Sequence, residues 1–158
     1  MYILFTGAPG SKWSSVAKNI YRSPDIDQSD STSDRTYNKG TVNHIGSYFD
    51  PGMEFRITRD NWDLPFSGTG KRIIKSHTFA HELDQLSKLD FPIVMIYRND
   101  FECFKWWTDA GGFNITYPNY SYFQDNETMW SHIQAENRDI MQFINDNQNR
   151  ITCRKDNV

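Results

Sequence analysis

The amino terminus constrains this chain more than any other segment. Tyr2 to Thr6 is a short apolar run that ends in a glycine–proline loop, Gly7-Ala8-Pro9-Gly10. Beyond the loop, Trp13, Val16, Ala17, Ile20 and Tyr21 recur at helical spacing until Ser23-Pro24 interrupts them. The pattern predicts a buried strand, a tight loop and an amphipathic helix of about two to three turns. That unit opens many α/β proteins that hold phosphate or sulfate.

Two further strands follow the same logic. Arg72-Ile73-Ile74-Lys75 is one, and Pro92 to Tyr97, nearly all apolar, is the other, as expected for a strand covered on both faces. Phe79, Leu83 and Leu86 predict a helix running to about Leu89, and Asp100 to Ala110 another, ended by Gly111-Gly112. Asp125 or Asn126 is expected to cap a long helix whose apolar side is Met129, Trp130, Ile133, Ile140, Met141 and Ile144. Ile151 to Cys153 is predicted as a last strand. Between Pro24 and about Gly70 the chain is polar: residues 25–34 read as a mobile loop, and Tyr48, Phe49, Met53, Phe55 and Ile57 as anchors of a hairpin or cover.

Strands alternating with helices predict an α/β fold, a three-layer sandwich around a central parallel sheet, similar to the P-loop NTPases. A chain of 158 residues fits one domain spanning 1–158. With 37% hydrophobic and 15% aromatic residues it can fill a core. A net charge of −3 argues against a nucleic-acid partner. The opening apolar run is too short for a signal peptide or a membrane span, and Cys103 and Cys153 form no CxxC pair, so a cytoplasmic protein with reduced thiols is expected.

In a parallel sheet, ligands bind beyond the carboxyl ends of the strands. Three loaded segments fall there. The first is Ala8, Pro9, Gly10, Ser11, Lys12, Trp13, Ser14 and Ser15, where glycine-permitted turns aim amides inward and the helix adds its positive end. It is not a Walker A loop, since Lys12 stands where the second Gly would be and Trp13 where the Lys would be. The second is Lys75-Ser76-His77. A Lys and a His two apart lie on one side of an extended chain, a cation to neutralise charge and a base to accept a proton. The third is Arg98, whose fork suits a phosphate or, failing that, a salt bridge to Asp100 or Glu102. Taken alone, a His in this position is more often a structural cap of the helix after it than a catalytic base.

The Gly/Pro loop, the R-I-I-K-S-H segment and the apolar strand ending in Arg98-Asn99 together resemble the P-loop sulfotransferase family, and a small member of it. The resemblance covers the first loop and roughly residues 71–107. It implies transfer of a sulfuryl group from 3′-phosphoadenosine 5′-phosphosulfate (PAPS) to a hydroxyl or amine, leaving 3′-phosphoadenosine 5′-phosphate (PAP). It implies Gly10 to Ser15 around the 5′-phosphosulfate, Lys75 and Lys12 as catalytic cations, His77 as general base, and Arg98 on the 3′-phosphate, with no metal. The family's first loop usually reads Pro-Lys-Ser-Gly-Thr; here Gly10 takes the place of that Lys. The family Ser about eight residues beyond the Arg is replaced by Trp106, beside which Lys105 offers charge and Trp106 a surface for adenine. Arg154-Lys155 weakly resembles a carboxyl-terminal phosphate segment of the family. The acceptor, a small molecule or saccharide, is expected to meet the 24–70 region and the aromatic stretch Phe113 to Phe123. The rival readings are a P-loop nucleotide kinase or NTPase and a nucleotide-binding module without catalysis.

Overall fold

The computed structural model describes residues 1–30, 55–109, 125–149 and 151–153. Four parallel strands form the sheet: β1 (Tyr2–Gly7), β2 (Arg72–Lys75), β3 (Ile93–Ile96) and β4 (Ile151–Cys153). Their order is β2-β1-β3-β4, so the amino-terminal strand lies between the two strands that carry the other motifs. Register is set by Tyr2 opposite Arg72 and Phe5 opposite Lys75 on one side, and by Leu4 opposite Ile93 and Gly7 opposite Ile96 on the other. The helices are α1 (Trp13–Tyr21), a 3-10 turn (Thr78–His81), α2 (Leu83–Leu86), α3 (Asp100–Asp109) and α4 (Asn126–Asp146).

Alternation along the strands sorts side chains between two apolar clusters. Phe5, Ile73 and Ile96 pack with Trp13, Ala17 and Tyr21 of α1. Leu4, Ile74, Ile93 and Met95 pack with Phe79, Leu86 and the Ile140–Ile144 end of α4. The sheet therefore carries apolar packing on both faces, which is why its strands read as near-continuous hydrophobic runs. Asp125 caps α4, its carboxylate accepting from the Thr128 amide at 2.7 Å.

Three expectations change. The helix expected from Phe79 to Leu89 is two short pieces, because Glu82 leaves helical geometry at φ −122°, ψ 30° while its amide still closes the turn onto the Phe79 carbonyl. Met141 turns out to solvent, and Glu136, Asn137 and Phe143 join the buried stripe of α4 instead. Residues 25–30 are structured rather than a loose loop. Ile26 is buried and bridges Lys71, while Asp27 accepts from the Ser29 amide and hydroxyl and from Arg72, and Asp30 accepts from the Tyr21 hydroxyl at 2.6 Å. Polar side chains are buried there because each finds hydrogen-bond partners, a pairing that composition alone does not reveal. Burial pushes the Asp27 carboxyl up, but the bonds from Ser29 and Arg72 prevail and hold it below the usual carboxylate range. Residues 31–34, Tyr48, Phe49, Met53, Gly111, Gly112, the Phe113–Phe123 stretch, Arg154 and Lys155 lie outside the described residues.

Candidate functional site

The three motif segments meet at the carboxyl edge of the sheet, around the point where the chain turns from β1 to opposite sides for β2 and β3. Loop and strands are tied directly. The Thr6 hydroxyl donates to the Ser76 carbonyl at 2.7 Å, the Ser76 amide to the Phe5 carbonyl at 3.1 Å, and the Ala8 amide to the Ile96 carbonyl at 3.2 Å. Two glycines permit the approach. A Cβ on Gly7 would lie 2.6 Å from Trp13 Cβ and 2.8 Å from the Ile96 carbonyl oxygen. Gly10, at φ +74°, would place one 1.9 Å from the Cys103 carbonyl oxygen, so the loop lies directly on the backbone of α3.

Within the loop, several amides are already engaged. Ala8 bonds β3, Ser11 bonds the Ala8 carbonyl, Ser15 bonds the Lys12 carbonyl, and Pro9 has no amide proton. The amides of Trp13 and Ser14, first in α1, have no preceding helical turn to bond. The Ser14 side chain lies outside the described residues. Ser11 is the informative member. Its side chain is wholly buried, and its hydroxyl has no hydrogen-bond partner among the described residues. An orphaned hydroxyl inside a turn that leads into a helix is the kind of group a bound anion satisfies.

Lys12 also stands at this edge, in left-handed geometry at φ 64° as the N-cap of α1. Its ammonium lies 4.6 Å from the centre of the Trp106 ring, a cation–π contact that joins loop to α3. Trp13 is a core residue: its ring stacks on Phe5 and meets the His77 ring edge-on at 4.5 Å. His77 is not on an extended strand as its spacing predicted. It adopts helical geometry (φ −67°, ψ −34°) at the start of the 3-10 turn, with its ring against that of Trp13. It makes no side-chain capping bond there; the Ser76 hydroxyl instead accepts from the Thr78 amide at 3.1 Å. Lys75 is 5% exposed at the end of β2, in register with Phe5.

Arg98 follows β3, its side chain 10% exposed and 3.3 Å from the half-exposed carboxylate of Glu102. The salt bridge weighed as the alternative to a phosphate is therefore formed. Lys105 points elsewhere, its ammonium on Asp109 at 2.5 Å on an exposed face of α3. Thus the loop, Lys12, Lys75, His77, Trp106 and Arg98 converge, and Lys105 stands apart. The Cys103 thiol beneath the loop is pushed up to about 11, chiefly by burial, so it is an inert packing group.

Sequence reasoning missed one cluster. His81, set aside as structural, donates from Nε2 to Glu136 Oε1 at 3.1 Å, and His132 meets its ring edge-on at 6.5 Å. The bond to Glu136 raises the His81 pKa above its ordinary value against an opposing effect of burial. Burial raises the pKa of Glu82. The legible signal was the Glu136-Asn137 dipeptide in an otherwise apolar stripe. Among the described residues, no group of three His, Cys, Asp or Glu is placed to hold a metal ion, and no helix is long and apolar enough to cross a membrane. In comparisons with protein-family models, curated proteins and solved structures, nothing matches this chain.

Proposed function

We propose that this protein is a PAPS-dependent sulfotransferase, its sheet and two apolar faces forming the three-layer, P-loop-like sandwich of that family. One observation carries the reading: a buried Ser11 hydroxyl, without a partner among the described residues, in a glycine loop, with Lys12, Lys75, His77 and Arg98 brought to the same sheet edge. PAPS, when bound, supplies an activated sulfuryl group whose transfer to oxygen or nitrogen releases PAP. Ser11 and the first amides of α1 fit its anionic oxygens as donors. Lys75, buried at a strand end, and Lys12, once drawn from Trp106, supply compensating positive charge where charge develops. His77, half-buried against Trp13, accepts the proton from the attacking hydroxyl or amine. Arg98 holds a phosphate in place of Glu102, since an exposed carboxylate is a weak competitor for a guanidinium. The acceptor is a small molecule or saccharide.

The test is calorimetric titration of PAP, and of ATP with and without Mg²⁺. Metal-independent PAP binding that weakens in Arg98→Ala supports the reading. Mg²⁺-dependent ATP binding with no response to PAP overturns it in favour of a P-loop kinase or NTPase. PAP binding without sulfuryl transfer across an acceptor panel, unaltered by His77→Ala, would make the protein a nucleotide-binding module.

A further inference from the structure

Along α4 the buried residues are Met129, Ile133, Ile140, Phe143 and Ile144, and in their midst Glu136 and Asn137, both nearly fully buried. Two consecutive polar side chains inside an apolar stripe are costly unless bonded, and their partners show what they hold. Asn137 reaches the corner between β3 and α3. Its Nδ2 donates to the Arg98 carbonyl at 2.7 Å and to Asp100 Oδ1 at 2.7 Å, while the Arg98 amide donates to its Oδ1 at 3.3 Å. The carboxamide thus takes both backbone groups of Arg98, as another strand would. The same Nδ2 lies 3.7 Å from Cys103 Sγ, and the Cys103 carbonyl is the surface against which Gly10 packs.

We propose that Asn137 is a positioning residue for Arg98: it fixes the backbone from which the guanidinium reaches the nucleotide's 3′-phosphate. The proposal rests on the sulfotransferase reading. It goes beyond it by placing control of nucleotide selection on α4, some 39 residues from Arg98 and outside all three motifs. The chemistry is specific. An amide offers one donor and one acceptor side, matching a peptide group, whereas a carboxylate offers acceptors alone. Asn137→Asp therefore keeps size and the bond from the Arg98 amide, but turns the bonds to the Arg98 carbonyl and Asp100 into repulsions.

The experiment titrates PAP and adenosine 5′-phosphate, which lacks the 3′-phosphate, into wild type, Arg98→Ala, Asn137→Asp and the double variant. Asn137→Asp is expected to weaken PAP about tenfold, the worth of one net hydrogen bond. Adenosine 5′-phosphate should change by less than about twofold, and the double variant should bind PAP no worse than Arg98→Ala within that margin. Equal weakening of both nucleotides, or losses that add in the double variant, overturns the proposal and leaves Asn137 a packing residue. Thermal melts accompany each titration; if Asn137→Asp does not fold, Asn137→Ser gives the same comparison. Wild type that binds no PAP sinks the sulfotransferase reading itself, while wild-type PAP binding with additive losses sinks only the role of Asn137.

Discussion

Replacing Ser11 by Ala should stabilise the protein and impair its site at once. The hydroxyl is wholly buried and has no partner among the described residues. Leaving such a group unsatisfied costs about 1–3 kcal/mol, and alanine removes it with little change in volume. Allowing for the lost contacts of one atom, the variant should gain roughly 1–2 kcal/mol. For a chain of this length about 1 kcal/mol moves Tm by about 2–4 °C, so an increase of roughly 2–8 °C is expected in calorimetry without ligand. With PAP the sign reverses. A hydrogen bond to a charged group is worth about 1.5–3 kcal/mol, so Ser11→Ala should bind PAP roughly 10- to 100-fold more weakly. The stabilising gain and the affinity loss have one cause, a donor held ready for an absent acceptor. A variant that melts below wild type, or that binds PAP equally well, would refute the reasoning, because the hydroxyl would then serve the fold.

Gly10→Ala should lower Tm by roughly 5–15 °C, since left-handed geometry and a contact of 1.9 Å with the Cys103 carbonyl both penalise a Cβ. Gly10→Asn separates the two causes: asparagine tolerates the geometry, so equal loss identifies the contact. Glu102→Gln should strengthen PAP binding, by calorimetry, because it removes the carboxylate now 3.3 Å from Arg98. His81 has a pKa raised in the folded state, first by its bond to Glu136, so its contribution to stability is complete below about pH 6.5 and is lost as pH rises through the raised value. Melting temperature should accordingly fall over that window in wild type, and less so in Glu136→Gln. In a Cys153→Ser background, Cys103 should resist a thiol reagent at pH 8 until the protein unfolds, because its thiol titrates near 11 and is buried.

Much of the fold is legible in local pattern. Strand β2 carries the predicted bounds, α1 ends at Tyr21, just before the predicted stop at Ser23-Pro24, and β1 ends one residue later than predicted, at Gly7, because that residue still pairs with Ile96. These segments are periodic, apolar and sharply punctuated by Gly or Pro, so propensity and burial agree. What was not legible depends on partners distant in sequence. Asp27 reads as a loop residue because nothing local announces Arg72, 45 positions on, as its partner. His77 reads as a strand-end residue, yet it starts a 3-10 turn with its ring against Trp13, 64 positions earlier. The site divides the same way. Glycines, lysines and the arginine stand out by type and spacing, whereas Asn137 acts through bonds that only the packed helix makes.

The strand order has a consequence for how the chain comes into being. Strand β1 is made before both its neighbours but sits inside the sheet, and its partners Arg72 and Ile93 are synthesised only after some seventy and ninety more residues. At ribosomal rates of about 5–20 residues per second, that apolar segment waits roughly 4–14 s for its first partner. Parallel pairing of this kind is slow to form and leaves unpaired edges exposed meanwhile. The nascent β1 segment is then a natural substrate for a chaperone, and yield on overexpression should depend more on translation speed than on the stability of the finished protein.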